Sequence, residues 1–329
     1  MMSTMFTDLP DLAAQRLGGE VIAANDEFFA PKEALLRPGM PEWREGVYTE
    51  QGKWMDGWET RRRRTPGHDW AIVRLGLPGI VRGIVIDTSF FTGNFPEQAS
   101  VDACLAPRAD TLDHLISAAT PWEPLLPPSD LKGDCRNPFA IAGSSKRVTH
   151  LRLNIFPDGG VARLRAHGEA VPEDGVFLAG GEVDLAAMEN GGVVVLCSDM
   201  HYGQRQQLIQ PGRSSYMGDG WETRRRRGPG HDWAVVRLAR RGVISRVELD
   251  TDHYKGNAPG SGMVEYCDEG LAFDVSTASW KTLVAETPLN PDARHRWDGL
   301  IASAATHVRL SIYPDGGVAR LRLYGRVDA

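Results

Sequence analysis

One pattern is written twice along this 329-residue chain, and that constrains its fold more than any other feature. "GWETRRRRTPGHDWAIVRL" at 57–75 matches "GWETRRRRGPGHDWAVVRL" at 220–238 in 17 of 19 positions, an offset of 220 − 57 = 163. "DTSFFTGN" (87–94) answers "DTDHYKGN" (250–257) at the same offset, and "PDGGVARLR" recurs unchanged at 157–165 and 314–322. Upstream, "GGEVIAANDEFFAPKEALL" (18–36) echoes "GGVVVLCSDMHYGQRQQLI" (191–209). Each copy is about 150 residues, long enough for its own core, so this is a duplicated domain rather than a short-period solenoid. The Gly- and acid-rich stretch 170–192 is the expected junction, giving domains 1–172 and 173–329.

Within a copy the pattern is that of strands. "DWAIVRLGL", "GIVRGIVIDT", "THLRLNIF" and "GVARLRAHG" are short, β-branched and bounded by Gly, Pro, Asp or Asn. Leu151, Leu153 and Ile155 alternate with Arg152 and Asn154, as on a half-buried strand. "PDGG" supplies turn chemistry before the next strand. Helical patterning is limited to "TLDHLISAA" and "PKEALL". Many short strands in a copy of this size predict an all-β fold of two tandem jelly-roll sandwiches.

The repeated arginines raise the question of a polyanion partner. A formal net charge of −6 argues against nucleic acid, and Glu59 and Glu222 flank the basic runs. In an extended strand Arg61 and Arg63 face one side, with Arg62 and Arg64 on the other. Two readings remain open: a charged edge that discourages aggregation, or one arginine per copy that clamps a carboxylate or ureido oxygen, with Arg61, Arg63, Arg224 and Arg226 as candidates. Hydrophobic residues make up 42% and charged residues 24%, enough for a core, and no apolar run approaches a membrane span. Four scattered cysteines without a CxxC predict reduced thiols, and the N-terminal stretch has no continuous apolar region. A cytoplasmic protein with no membrane partner is expected.

"PGHDW" offers His68 and His231, each before an aspartate, as a possible base with an orienting acid. Neighbours on a strand point apart, however, and the Trp side chains read as core anchors. The copies diverge at "DTSFFTGN" and "DTDHYKGN". The second gains Asp252, His253 and Lys255 beside Asp250, while Glu97 in the first stands where the second has Gly260. Asp250, Asp252 and His253 could ligate a divalent metal or move protons, or Asp87 and Asp250 could simply close Asx-type turns. No metal or other cofactor is required by the pattern. If Glu97 and the Asp250–His253 loop faced one another, a composite site would explain the divergence.

Together, "DGWETRRRR-x-PGHDW", "DT-x(4)-GN" and "PDGG-V-AR-L-R", in order and twice, resemble allantoicase. The resemblance covers the chain after about residue 18 and implies two galactose-binding-like jelly rolls. It also implies a cytoplasmic, homo-oligomeric enzyme of allantoin (purine) degradation that hydrolyses allantoate to ureidoglycolate and urea. That chemistry asks for a carboxylate clamp, donors and acceptors for ureido groups, and a proton for the departing urea. Arginines 61, 63, 224 and 226 suit the first; Asp87, Asn94, Asp250 and Asn257 the second; His68, Glu97, His231 and His253 the third. The alternatives are a non-catalytic tandem jelly roll that binds a small ligand, or an enzyme acting on ureidoglycolate.

Overall fold

Asp69–Asp87 is a single strand of 19 residues, although "DWAIVRLGL" and "GIVRGIVIDT" read as two. It stays continuous because it changes partners midway. Residues 69–74 lie between Glu20–Ala24 and Val148–Phe156, and the register then shifts between Arg74 and Gly79. Residues 79–87 lie in a second sheet, between Arg163–Ala170 and Arg136–Ala140. The first sheet continues through Gln98–Cys104 to Glu123–Asp130, all antiparallel. Five strands thus share one long member with a sheet of three, the framework of a jelly-roll sandwich.

The computed structural model describes every residue except 1–4, 107–110, 118, 174, 179, 180, 271, 272, 301, 302 and 329. The chain divides into two compact units, residues 5–171 and 172–329. The expected junction at 170–192 falls partly on residues 174, 179 and 180, outside the described residues. In the second unit Asp232–Asp250 has the same role. Its first half lies between Val193–Cys197 and Ala305–Tyr313, and its second half between Arg320–Val327 and Arg294–Trp297.

The apolar alternation reaches the core as expected. Ala71, Val73, Leu151, Leu153 and Ile155 of the larger sheet, and Ile84, Ile86 and Leu164 of the smaller, are all within 1% of full burial. Burying each large side chain contributes about 1.5–3 kcal/mol. On the other face of the long strand Ile72 joins Cys104, Ala106 and Leu115, with Leu115 supplied by the short helix Leu112–Ile116. Thr111 caps that helix by accepting from the His114 amide at 3.2 Å. Asn154, expected on a solvent face, is buried; its amide donates to Ser100 Oγ and Asp102 at 3.0 and 2.9 Å. Among the described residues no helix is long and apolar enough to cross a membrane.

Candidate functional site

The three repeated motifs meet at one place in each unit. Trp58–Glu59 is a short strand paired with Gly160–Val161. Trp58 is fully buried, and its indole N–H donates to the Asp26 carbonyl at 2.8 Å. Thr60 then exchanges hydrogen bonds with Gly159, receiving from its amide on Oγ1 at 3.1 Å and donating its own amide to its carbonyl at 3.2 Å. Asp158 accepts from the Arg63 amide at 2.7 Å. Gly159 has φ +141°, and a Cβ there would stand 2.8 Å from the Asn94 carbonyl oxygen, so "PDGG" needs glycine where it passes the "GN" loop. The second unit repeats this lock with Thr223, Gly316, Asp315, Arg226 and Asn257.

In the first unit the lock frames a cavity of about 230 Å³ lined by Phe29, Trp43, Lys53, Glu59, Phe90 and Asn94, with Met55 and Thr92. The Asn94 amide donates to Glu59 Oε1 at 2.7 Å. Burial pushes the Glu59 carboxyl above the usual carboxylate range, while the Asn94 hydrogen bond works in the opposite direction. Lys53 brings a cation, its Nζ 4.0 Å above the Trp43 ring. Trp43 also packs against Phe90 with ring centroids 5.7 Å apart, and Phe90 adopts a left-handed φ of 69° at the cavity edge. A left-handed phenylalanine is costly and persists only where its surroundings enforce it. The cavity therefore joins a desolvated carboxyl, an amide, an ammonium and an aromatic wall.

Two matches to a model of the allantoicase repeat, over residues 10–171 and 183–328, take in both units. The chain belongs to the allantoicase family. It is 50% identical over 328 residues to a "Probable allantoicase" of Nocardia farcinica (strain IFM 10152), covering 98% of this chain and 95% of that protein. It is 46% identical over 322 residues to a "Probable allantoicase" of Pseudomonas paraeruginosa (strain DSM 24068 / PA7), covering 96% and 95%. The crystal structure of allantoicase from Saccharomyces cerevisiae superposes with a TM-score of 0.82 at 34% identity, covering 96% of this chain and 92% of that one. The all-β tandem architecture is that of the allantoicase family.

The two allantoicase repeats differ at this cavity. Glu222 keeps its partner, with the Asn257 amide donating at 2.6 Å, but the same amide lies 3.4 Å from Met217 Sδ. Tyr254 is fully buried and donates to the Met217 carbonyl at 2.8 Å, which holds that segment in place. The segment between the bridges Ala30–Glu59 and Gly203–Glu222 is ten residues longer in the first repeat (59 − 30 against 222 − 203). The extra length forms the hairpin Tyr48–Thr49 with Gly52–Lys53, which brings Lys53 to the cavity.

Of the residues singled out from the sequence, Asn94 lines the cavity, and Asn257 holds the equivalent position beside Glu222. Arg61 is spent on Asp26, at 2.6 Å, and Arg63 on Asp69, at 3.2 Å, and on the His68 carbonyl. Arg224 faces Asp199, and Arg226 pairs with Asp232. Residues 60–64 form no strand; Arg62 and Arg64 are exposed, so the expected two-sided alternation is replaced by a loop pinned at alternate guanidiniums. The His68 ring rests on Phe156 at 4.8 Å and His231 on Tyr313 at 4.5 Å, neither at the cavity. Glu97 is exposed, with its backbone paired to Phe156 and Leu131.

Asp87 and Asp250 close Asx turns onto Ser89 and Asp252, both at 2.8 Å. Asp252 is paired with Arg213 at 2.6 Å, and His253 Nε2 lies 3.1 Å from the Ser214 carbonyl, which requires that nitrogen to donate and leaves it no lone pair for a metal. Among the described residues no group of three or more His, Cys, Asp or Glu side chains converges to hold a metal ion. Glu59 and Lys53 were not among the sequence candidates. The signal for Glu59 was its place between Trp58 and Thr60 in the repeated motif; for Lys53 it was the ten residues present in one copy alone.

Proposed function

We propose that the chain hydrolyses allantoate to ureidoglycolate and urea, and that the first repeat's Glu59 cavity carries the reaction. The single observation behind the assignment is the desolvated Glu59 carboxyl, held by Asn94 within a cavity also lined by the Lys53 ammonium. Family membership supplies the substrate; the cavity supplies groups that match it.

Allantoate carries a carboxylate and two ureido groups on one carbon. Lys53 offsets the carboxylate charge, and Trp43, Phe29 and Phe90 offer apolar aromatic surface to the planar ureido groups. Burial favours the protonated form of the Glu59 carboxyl, the form a general acid needs, and strengthens its hold on its proton. Glu59 gives that proton to one ureido nitrogen as its bond to the central carbon breaks, and urea leaves. The lone pair of the remaining ureido nitrogen forms the C=N bond of a cationic intermediate. Water then adds to the carbon and returns a proton to Glu59, giving ureidoglycolate and restoring the acid. General acid–base catalysis of this kind contributes roughly 10²–10⁴-fold.

The reading extends to a cytoplasmic homo-oligomer, as the family resemblance implies; four free cysteines suit a reducing compartment. The test is urea release from allantoate by Glu59→Gln, with Glu222→Gln as the matched change in the second repeat. Loss of about 10²-fold or more in kcat for the first, and none for the second, is expected. Wild-type turnover by Glu59→Gln would place the chemistry elsewhere.

A further inference from the structure

The outer face of the three-stranded sheet carries charge in the second unit that the first lacks. Residues 246, 248 and 250 share one face of the long strand by simple alternation. Glu248 lies between Arg322 and Arg296, and Asp250 lies between Arg320 and Arg294. In the first unit Asp87 keeps its flanking Arg163 and Arg136, but the row of Glu248 holds Val85 between Arg165 and Pro138. An apolar position has become an acid between two arginines.

The rim has changed in the same sense. "DLAAQRLGG" at 11–19 corresponds to "DLAAMENGG" at 184–192, which places Glu189 where the first unit has Arg16. In the first unit Phe6 covers this face: its ring stands 6.1 Å from that of His167, and a Cβ on Gly83 would meet it at 2.1 Å. The matching positions in the second unit are Tyr324 and Arg246, and the Arg246 guanidinium lies 3.9 Å above the Tyr324 ring. What remains beside them is a cavity of about 550 Å³ whose walls include Glu189, Asp250, Arg294, Arg296, Arg322 and Tyr324.

This wall is not satisfied by its own members. Glu189 Oε2, an acceptor, and Arg322 Nη1, a donor, are both buried with no hydrogen-bond partner. Native interiors leave few such atoms, and a ligand is one thing that completes them. Arg294 and Arg296 line the cavity and remain more than half exposed, although Arg294 pairs with Asp250 and Arg296 with Asp298. Guanidinium groups match a carboxylate in pairs, and a carboxylate acceptor matches N–H.

We propose that this cavity is a second ligand site, confined to the second unit, for a small carboxylate that also carries N–H donors, the class of ureido and amino acids. The carboxylate meets Arg296 and Arg322, and the N–H groups meet Glu189. The site is separate from the Glu59 cavity and stands whether or not Glu59 turns over allantoate.

The probe is N-carbamoylglycine, a ureido acid with a single ureido group, titrated calorimetrically into the wild-type protein, into Glu189→Gln with Arg296→Ala, and into Lys53→Ala. Glutamine is isosteric with Glu189 and Arg296 is half exposed, so the fold is retained, as circular dichroism will verify. Expected is a binding step that the double variant weakens about tenfold or more and that Lys53→Ala leaves in place. Equal affinity and stoichiometry in wild type and double variant would overturn the proposal, as would no binding by wild type at millimolar probe. Failure of the catalytic reading appears separately, as unchanged urea release by Glu59→Gln.

Discussion

The Asn94 side-chain amide donates to the Glu59 carboxylate at 2.7 Å, joining the repeated "GN" loop to the repeated "GWET" strand. That hydrogen bond favours the charged carboxylate, against the burial that favours the neutral acid. Removing it by Asn94→Ala leaves burial unopposed, so the Glu59 proton is held more tightly. If Glu59 donates a proton in catalysis, activity falls as pH rises through its titration. The alkaline limb of kcat against pH is then expected to move upward in Asn94→Ala. A limb that stays in place, with kcat otherwise measurable, would mean another group sets it.

The same burial has a cost in stability. A carboxyl whose pKa is raised on folding gives stability that is full below its unfolded pKa and is lost as pH rises through the folded value. Glu59→Gln removes the ionisation, so the variant is expected to be more stable than wild type at neutral and alkaline pH and to converge with it in acid. Urea denaturation at a series of pH values reads this directly. The opposite sign would show that Glu59 is stabilised, not strained, in its charged form.

The repeated arginines divide by what they touch. Arg61 is mostly exposed, with its guanidinium on Asp26, and exposed pairs of this kind contribute about 0–1 kcal/mol. Arg61→Ala is expected to keep near wild-type kcat with a stability loss in that range. Abolished turnover by a folded Arg61→Ala would restore the carboxylate-clamp reading of this arginine. Arg62 and Arg64, both exposed, are expected to be equally dispensable.

Most of the architecture was legible because duplication multiplies evidence. Two copies of each turn and each alternating run point to the same sandwich, and "PDGG" marked a turn that glycine alone can make against Asn94. The Glu59 cavity was harder to see. Glu59 sits beside four arginines that draw the eye, yet Arg61 and Arg63 pair with Asp26 and Asp69, and Arg62 and Arg64 are exposed. "HDW" suggested a catalytic pair, but the His68 ring packs at a tilt against Phe156, and Asp69 pairs with Arg63 and accepts from the Asn25 amide at 2.8 Å. The approach of Lys53 arises from a hairpin within the 28 residues between Ala30 and its bridge partner Glu59, a tertiary event that local pattern does not encode.

A last contrast lies at the buried pair Arg163 and Asp56. Their side chains are 4% and 6% exposed, with Nη2 to Oδ2 at 2.5 Å, and Arg163 Nη1 also donates to the Asp56 and Ala162 carbonyls. Burial tends to raise the Asp56 carboxyl, but the Arg163 guanidinium, the Glu42 amide and Arg37 together hold it below the usual range. Breaking such a buried pair strands a charge and costs about 3–5 kcal/mol. Arg163→Ala is therefore expected to lose several times more stability than Arg61→Ala. Because the Asp56 pKa is depressed on folding, the stabilisation it gives is present above the unfolded value and is lost as pH falls through the folded one. The gap between wild type and Arg163→Ala should accordingly narrow in acid. A gap that stays constant from neutral pH to strong acid would show that packing of the Arg163 stem, not the ion pair, is what the substitution removes.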